Sequence, residues 1–449
     1  MPPIVSVVIP AYNAAGHLRS CLQSLRENCT APLEIIVVDD GSTDSTRDVA
    51  LSFGITPLET GGRRGPAFAR NLGARAAAGS IVFFLDADVC AQSDTIETVQ
   101  AHFNSDPALD ALIGSYDNDP HAPDFLSQYR NLMHAFVHQQ GDESASTFWS
   151  GCGAIRRDVF LEHSGFDESY GRPAIEDIEL GYRLIAAGRK IVLDHSLQVK
   201  HLKRWTFWGL VKTDVLDRGI PWTELILRDR FLPNDLNLQL SQRVSVALVF
   251  VLVALSAAMA LYWGAWFLIP MFAIVFVSLV RYWIEFALND RPVLAPVILF
   301  SAVAAIVFLA KSHGMYGVIP PLLLSPVLLF ARHRYSFGGF GRKVFRAATA
   351  AYIAGTILLA VPYLPMHRVI FGCFIMLATL GLMNSQFYLF LASNRGLPFM
   401  LAAIPFHLLY HFYSGLSFIA GFICFVWKNA LQRRQAPAQV ARQSPGKLP

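Results

Sequence analysis

The sequence predicts an α/β domain followed by an all-α transmembrane region. In the first part, short apolar runs rich in Val and Ile alternate with helical patterns; beyond Arg243 the chain becomes a series of long apolar stretches. The acidic residues divide in the same way: of 33, only Glu285 and Asp290 lie after Asp235. Two differently solvated bodies are joined in 449 residues, a length that allows two or three domains with a full core.

Ile4–Ile9, Glu34–Val38 and Ile81–Leu85 read as buried parallel strands. Ala14–Glu27, Thr43–Phe53 and Pro66–Ala78 between them carry helical periodicity. Strictly alternating strand and helix implies an open, doubly wound sheet. Ligands bind such sheets beyond the carboxyl ends of the strands. Polar groups stand there: Pro10–Asn13, Asp39–Asp44 and Asp86–Asp88. Because Ile4–Ile9 is already a strand, with no basic start or long apolar core before it, this domain is expected to stay in the cytosol.

From Trp205 to Arg243 the chain mixes Trp205, Phe207, Trp208 and Trp222 with Lys and Arg, a composition suited to a membrane interface or to an amphipathic connector. Apolar stretches follow near 244–262, 265–280, 293–310, 315–331, 346–362, 369–385 and 398–427, about six to eight segments, several near the ~20 residues that span a bilayer. The stretch 398–427 is too long for one ordinary span and is read as a re-entrant hairpin. The Arg281–Phe286 run with Asn289 is echoed by Gln386–Leu391 with Asn394, which suggests a two-fold repeat. Arg332, Arg334, Arg342, Lys343 and Arg346, and Lys428, Arg433 and Arg434, place those loops and the C-terminus in the cytosol. The expected division is 1–204 soluble domain, 205–243 connector, 244–427 multi-pass membrane region and 428–449 a disordered tail.

Composition excludes some classes. A net charge of +4 with no basic stripe argues against nucleic acid. The six cysteines have no metal or CxxC spacing and read as buried free thiols.

Val5-Ser-Val-Val-Ile-Pro-Ala-Tyr-Asn13 and Asp39-Asp-Gly-Ser-Thr-Asp44 each follow a strand, and Asp86-Ala-Asp88 follows a third. Singly they read as a Pro turn, an Asx turn and a helix cap. Together, at this spacing, they resemble family 2 glycosyltransferases of the GT-A fold, closely over about residues 4–205 and more loosely beyond. A nucleotide base needs a flat partner, which Tyr12 supplies, and a polar edge contact, which Asp40 supplies by accepting from a ring N–H. The resemblance assigns Pro10, Tyr12, Asp39 and Asp40 to the nucleoside, and Arg70 to the family's cationic helix position near the nucleotide. The i, i+2 carboxylates of Asp86 and Asp88 point into one pocket, where Mg²⁺ or Mn²⁺ would neutralise a leaving diphosphate. Asp86 is counted with the nucleotide-sugar as well as the metal.

Gly151, Cys152 and Gly153 resemble the family's small-residue segment on the acceptor side, where glycine permits close backbone approach. Glu176-Asp177 opens a helix, and the resemblance makes Asp177 the general base, with Glu176 in support. His201-Leu-Lys-Arg-Trp205 resembles the Gln-x-x-Arg-Trp element of processive relatives, with His in place of Gln. By that likeness Arg204 grips the diphosphate, Trp205 stacks on an acceptor and His201 is a third metal ligand; an interfacial basic-aromatic cluster is the alternative. The reading is an inverting hexosyltransferase taking a nucleotide-sugar, UDP before GDP, and a lipid or membrane-associated acceptor. A processive polysaccharide synthase is the first rival, and a transporter or scaffold with a dead domain the second.

Overall fold

The computed structural model describes residues 5–28, 33–263 and 366–442. Eight strands form one sheet: β1 (Val5–Ala11), β2 (Leu33–Asp39), β3 (Leu58–Glu59), β4 (Ile81–Leu85), β5 (Val89–Ala91), β6 (Ala111–Tyr116), β7 (Cys152–Arg156) and β8 (Ile191–His201). Their order is β3-β2-β1-β4-β7-β6-β8-β5. Four strands, β3, β2, β1 and β4, are parallel neighbours, as the alternating pattern predicts. Beyond them the sheet is mixed, because β7 runs antiparallel to both β4 and β6. An apolar five-residue run carries no mark of its direction, so this departure from a purely parallel sheet was not visible in the sequence.

The strands are sealed on both faces. Val7 and Ile9 pack with Leu18 and Leu22 of α1 (Ala15–Asn28), while Val8 packs with Ala67 and Ala69 of α3 (Pro66–Ala76). That is why β1 reads as a continuous hydrophobic run and not as an alternation. Phe84 on β4 anchors one layer, with Phe166, Phe160 and Phe148 ring centres 5.1, 5.2 and 6.3 Å away. The remaining helices of the domain are α2 (Thr46–Ser52), α4 (Thr95–Ser105), α5 (Phe125–Gln139), α6 (Arg157–Glu162) and α7 (Glu176–Ala186).

The connector holds α8 (Phe207–Lys212), a π-helical turn over Thr213–Gly219 and α9 (Ile220–Asp229). It is fastened to the α/β domain: Leu236 enters the core, Asp235 accepts from the Ser146 hydroxyl (3.3 Å), and the Trp222 indole N–H donates to Tyr182 Oη (3.0 Å). Phe207, Trp208, Leu216, Phe231 and Leu232 of this segment remain exposed.

The chain divides into two units, Met1–Leu240 with Tyr413–Pro449, and Ser241–Phe412. The second contains α10 (Leu240–Trp263), α11 (Met366–Met383), α12 (Ser385–Arg395) and the start of α13 (Leu397–Arg442). Asn384 sits where α11 and α12 meet, and its amide donates to Ser245 Oγ (3.0 Å) and Leu380 O (2.9 Å). Among the described residues one helical stretch, Leu397–Ala430, is long and apolar enough to cross a membrane, and Val369–Met383 with Ser385–Arg395 passes the same test as a pair bent by 63°. The hairpin expected at 398–427 is instead one continuous helix, in spite of Pro405 and the Ser414–Gly415 pair within it. That helix runs on to Arg442, into the segment read as a disordered tail. The stretches between 265 and 362, the first half of the suggested repeat and the basic loop at 332–346 lie outside the described residues. Within the first unit, α13 is tied to the connector: Tyr413 Oη donates to Asp214 (2.7 Å), whose other oxygen takes Arg130 Nη2 (2.6 Å), and Lys428 pairs with Glu224 (2.7 Å).

Candidate active site

Parallel pairing brings the ends of β1 and β2 together, with Ala11 opposite Asp39. The loops that follow are stitched to each other. Thr43 N–H donates to Asn13 Oδ1 (2.8 Å), Ala14 N–H to Thr46 Oγ1 (2.8 Å) and Ala15 N–H to Asp44 Oδ2 (3.2 Å). Asn13 therefore does not cap α1; the second loop satisfies the first N–H groups of that helix. Asp39 is fully buried and accepts from Arg47 Nε (2.6 Å) and Ser42 N–H (3.0 Å). Burial opposes its charge, but Ser42 and Arg47 hold the carboxyl below its ordinary range.

Asp40 accepts from Thr60 Oγ1 (2.9 Å), Arg64 N–H (2.8 Å) and Gly65 N–H (2.8 Å). A carboxylate offers about four lone-pair sites, so three are committed to the loop ahead of α3. Asp40, expected to accept from a base edge, thus holds the Thr60–Gly65 loop in place with three of those sites. The same loop lays the Arg63 guanidinium 4.4 Å from the ring centre of the half-exposed Tyr12. Arg63 was missed in the sequence, although the Gly-Gly-Arg-Arg-Gly run before a helix could have marked it. Pro10 lies within β1, paired with Val38.

Beside this end, at the end of β4, stands a buried charge cluster. Arg70, on α3, donates through Nη2 to Asp86 (2.7 Å) and through Nη1 to Glu176 (2.9 Å). Arg70 is 5% exposed, so it is spent on carboxylates and does not face an open cleft. Burial pushes the Glu176 carboxyl up, with Arg70 acting against that shift and Asp177 adding to it. Asp177, next in α7 and only half-buried, accepts at Oδ2 from Ser150 N–H (3.1 Å) and Ser150 Oγ (3.0 Å), and at Oδ1 from Ile178 N–H (2.8 Å). The antiparallel register pairs Leu85 with Cys152 and so sets Ser150 beside the Asp86 turn. Of the acidic pair, Asp177 is the one with no cation partner among the described residues.

The second antiparallel register pairs Val89 with His201, which brings His201 Nε2 to 3.6 Å from Asp88 Oδ2. Burial again opposes charge on Asp88, yet His201, Lys203 and His17 hold its carboxyl well below the usual range. Lys203 lies over the Trp205 ring at 4.3 Å. Arg204, expected at the diphosphate, is 72% exposed and reaches Asp124 at 3.4 Å, while Lys203 is among the charges that lower the Asp88 carboxyl. Trp205, expected to stack on an acceptor, is 8% exposed, with Arg130 on its ring at 5.8 Å as well as Lys203.

The glycine segment Gly151–Gly153 is closely packed. A Cβ on Gly151 would stand 2.7 Å from the Trp149 indole, and one on Gly153 2.3 Å from Trp149 O and 2.7 Å from the Phe148 ring. At these glycines the space of a Cβ is taken by the chain's own Trp149 and Phe148. Cys152 between them is buried and unpaired. Trp149 in turn packs against Tyr116 at 4.8 Å and His138 at 4.7 Å, close to Asp177. Burial lowers His138 to about 4, so this wall of the site is neutral at physiological pH.

Among the described residues no group of three or more His, Cys, Asp or Glu side chains is arranged to hold an ion. The donors present still fit Mg²⁺ or Mn²⁺, which bind through one or two protein groups when substrate phosphates supply the rest. Asp88 and His201 are the candidates for such a pair; Asp86, held by Arg70, is less free to join.

Residues 6–163 match the profile of Glycosyl transferase family 2. The α/β domain belongs to glycosyltransferase family 2. This family 2 domain is similar to validoxylamine A glucosyltransferase of Streptomyces hygroscopicus subsp. limoneus, 34% identical over 224 residues, or 41% of this chain and 49% of that protein. It is similar to the O-antigen chain rhamnosyltransferase RfbN of Salmonella typhimurium, 27% identical over 49% of this chain and 74% of the relative. The pre-mycofactocin glycosyltransferase of Mycobacterium tuberculosis is 30% identical over 46% of each chain. The chain thus spans about half the length of two of these three relatives.

Proposed function

We propose that the protein moves a hexosyl group from a nucleotide-sugar, a UDP-sugar in the first instance, onto a lipid or membrane-associated acceptor, with inversion at the anomeric carbon. One observation carries the mechanism: Asp177 is held by Ser150 and, among the described residues, bound to no cation, while its neighbour Glu176 is consumed by Arg70. Asp177 takes the proton from the acceptor hydroxyl as that oxygen attacks the anomeric carbon. The bond from that carbon to the diphosphate breaks, and the nucleoside diphosphate departs with its electron pair. Asp88 and His201 would hold a divalent cation, which when bound neutralises charge on that diphosphate. Lys203 adds a second positive charge on the same side. Tyr12 and Arg63 receive the base, and Asp40 keeps the Thr60–Gly65 loop in place to do so. Arg70 acts on the nucleotide only through Asp86 and Glu176, whose carboxylates it orients.

A lipid or membrane-bound acceptor is supported by the apolar stretches of the C-terminal half and by the exposed Phe207, Trp208, Leu216, Phe231 and Leu232 of the connector. We read that half as multi-pass, with the family 2 domain and the C-terminus in the cytosol.

The test is a panel of nucleotide-sugars incubated with membranes containing the protein, reading released nucleoside diphosphate and lipid-extractable sugar. The expected result is metal-dependent release with one donor, abolished by EDTA and restored by Mg²⁺ or Mn²⁺. Full turnover in chelator would remove the cation from the scheme, and sugar found only in long water-soluble polymer would favour a processive synthase.

A further inference from the structure

We infer that Asn131, on α5, is a positioning residue that fixes the ring of His201 so that Nε2 is presented to the cation site at Asp88. The inference rests on the cation reading given above. Asn131 is 3% exposed, and its Oδ1 lies 3.0 Å from Trp205 Nε1 and 2.9 Å from His201 Nδ1. An indole N–H can only donate, so the Asn131 atom that faces it is the oxygen. The same oxygen faces His201 Nδ1, which must therefore carry its proton there. The amide orientation and the tautomer follow from the chemistry of Trp205, not from a choice between look-alike atoms. With Nδ1 committed, Nε2 is the remaining ring nitrogen, and it faces Asp88 Oδ2 at 3.6 Å.

Two more contacts hold the arrangement. The Tyr116 ring stacks on His201 at 4.2 Å and 7°, which keeps the imidazole from turning out of its plane. The Asn131 amide N–H donates to Lys203 O (3.2 Å), so the strand end carrying His201 and Lys203 is tied to α5 at two points. A histidine that donates its far nitrogen to a fixed acceptor is the usual support for a metal ligand, and losing such a support typically costs about 10–100-fold in metal affinity. A residue that served only to staple the loop would not need one oxygen shared between two ring N–H donors.

The experiment uses the full chain in detergent with Mn²⁺, alone and with UDP, read by the free-ion electron spin resonance signal and by spin-echo detection of imidazole nitrogen coupled to the metal. In the wild type, imidazole coupling is expected, and His201→Ala should abolish it. Asn131→Leu should weaken Mn²⁺ binding about 10–100-fold and lose the coupling, while metal-free UDP affinity stays unchanged. Asn131→Asp keeps an acceptor for both ring N–H groups and should retain affinity and coupling. If His201→Ala loses the coupling but Asn131→Leu keeps affinity and coupling, Asn131 does not position the ligand, and the cation reading survives alone. If His201→Ala binds Mn²⁺ like the wild type, His201 is no ligand and both readings fall. Should Asn131→Leu not fold, Asn131→Asp decides: coupling retained supports the inference, and coupling lost in a folded protein overturns it.

Discussion

The two ends of the site are built by opposite means. At the nucleotide end, Asp39 and Asp40 are bound mainly by their own neighbourhood, from Ser42 and Arg47 to the Thr60–Gly65 loop. At the transfer end, Asp86, Glu176, Asp177, Asp88 and His201 are brought together from residues up to 115 positions apart, through Arg70, Ser150 and two antiparallel strand registers. The first end is a prearranged frame, and most of its carboxylate capacity is spent on itself. The second is a charge cluster in which one carboxylate, Asp177, is left without a cation partner among the described residues. Substitutions should therefore damage shape at one end and chemistry at the other.

The largest expected effect is at the transfer end. Asp177→Asn preserves shape and the Ser150 contact but removes the proton acceptor, so turnover should fall roughly 10²–10⁴-fold with donor affinity unchanged, as single-turnover rates and calorimetry would report. Glu176→Gln should act differently although it is adjacent. It leaves a buried guanidinium short of one carboxylate, and a loss of about 1–3 kcal/mol of stability is expected in denaturant titrations. If instead Glu176→Gln removed turnover and Asp177→Asn did not, the two roles would be exchanged.

At the nucleotide end, Asp40→Ala should weaken substrate and nucleoside diphosphate alike by about 1–3 kcal/mol. Because Asp40 acts through the loop, proteolysis near Arg63 and Arg64 should accelerate in the same variant; protection unchanged from the wild type would return Asp40 to a direct contact with the base. Smaller still is Tyr413→Phe, which deletes one hydrogen bond to the buried Asp214 and should cost about 1 kcal/mol in stability without touching donor affinity. Trp208→Ala should leave stability within about 0.5 kcal/mol, since the side chain is 77% exposed, but should reduce binding of the detergent-free domain and connector to anionic vesicles.

The same contrast explains what could be read from the sequence. The parallel strands β1, β2 and β4 were legible because each is buried on both faces and followed at once by its polar residues. Asp86, Asp88 and Asp177 were legible as motif members. Which partners they take was not, because Arg70 and Ser150 reach them across the sheet and the antiparallel direction of β7 leaves no trace in Cys152–Arg156. Arg204 and Lys203 show how fine the limit is: outside a strand, adjacent basic residues give no sign of which one turns inward. Asn131 was invisible for a related reason, as a polar residue within an amphipathic helix reads as surface until the ring N–H groups it accepts are seen. In the C-terminal half, length and apolarity identified the α13 stretch as membrane-compatible, but not that one unbroken helix carries it.

The account's central claim is that Asp177 drives a single displacement at the transfer end. The most direct measurement is the anomeric configuration of the first product formed by the wild-type protein, read by NMR of the new glycosidic linkage against that of the donor. The account predicts inversion. Retention would require a second displacement or an internal return, neither of which this arrangement of Asp177, Glu176 and Arg70 provides, and would contradict it.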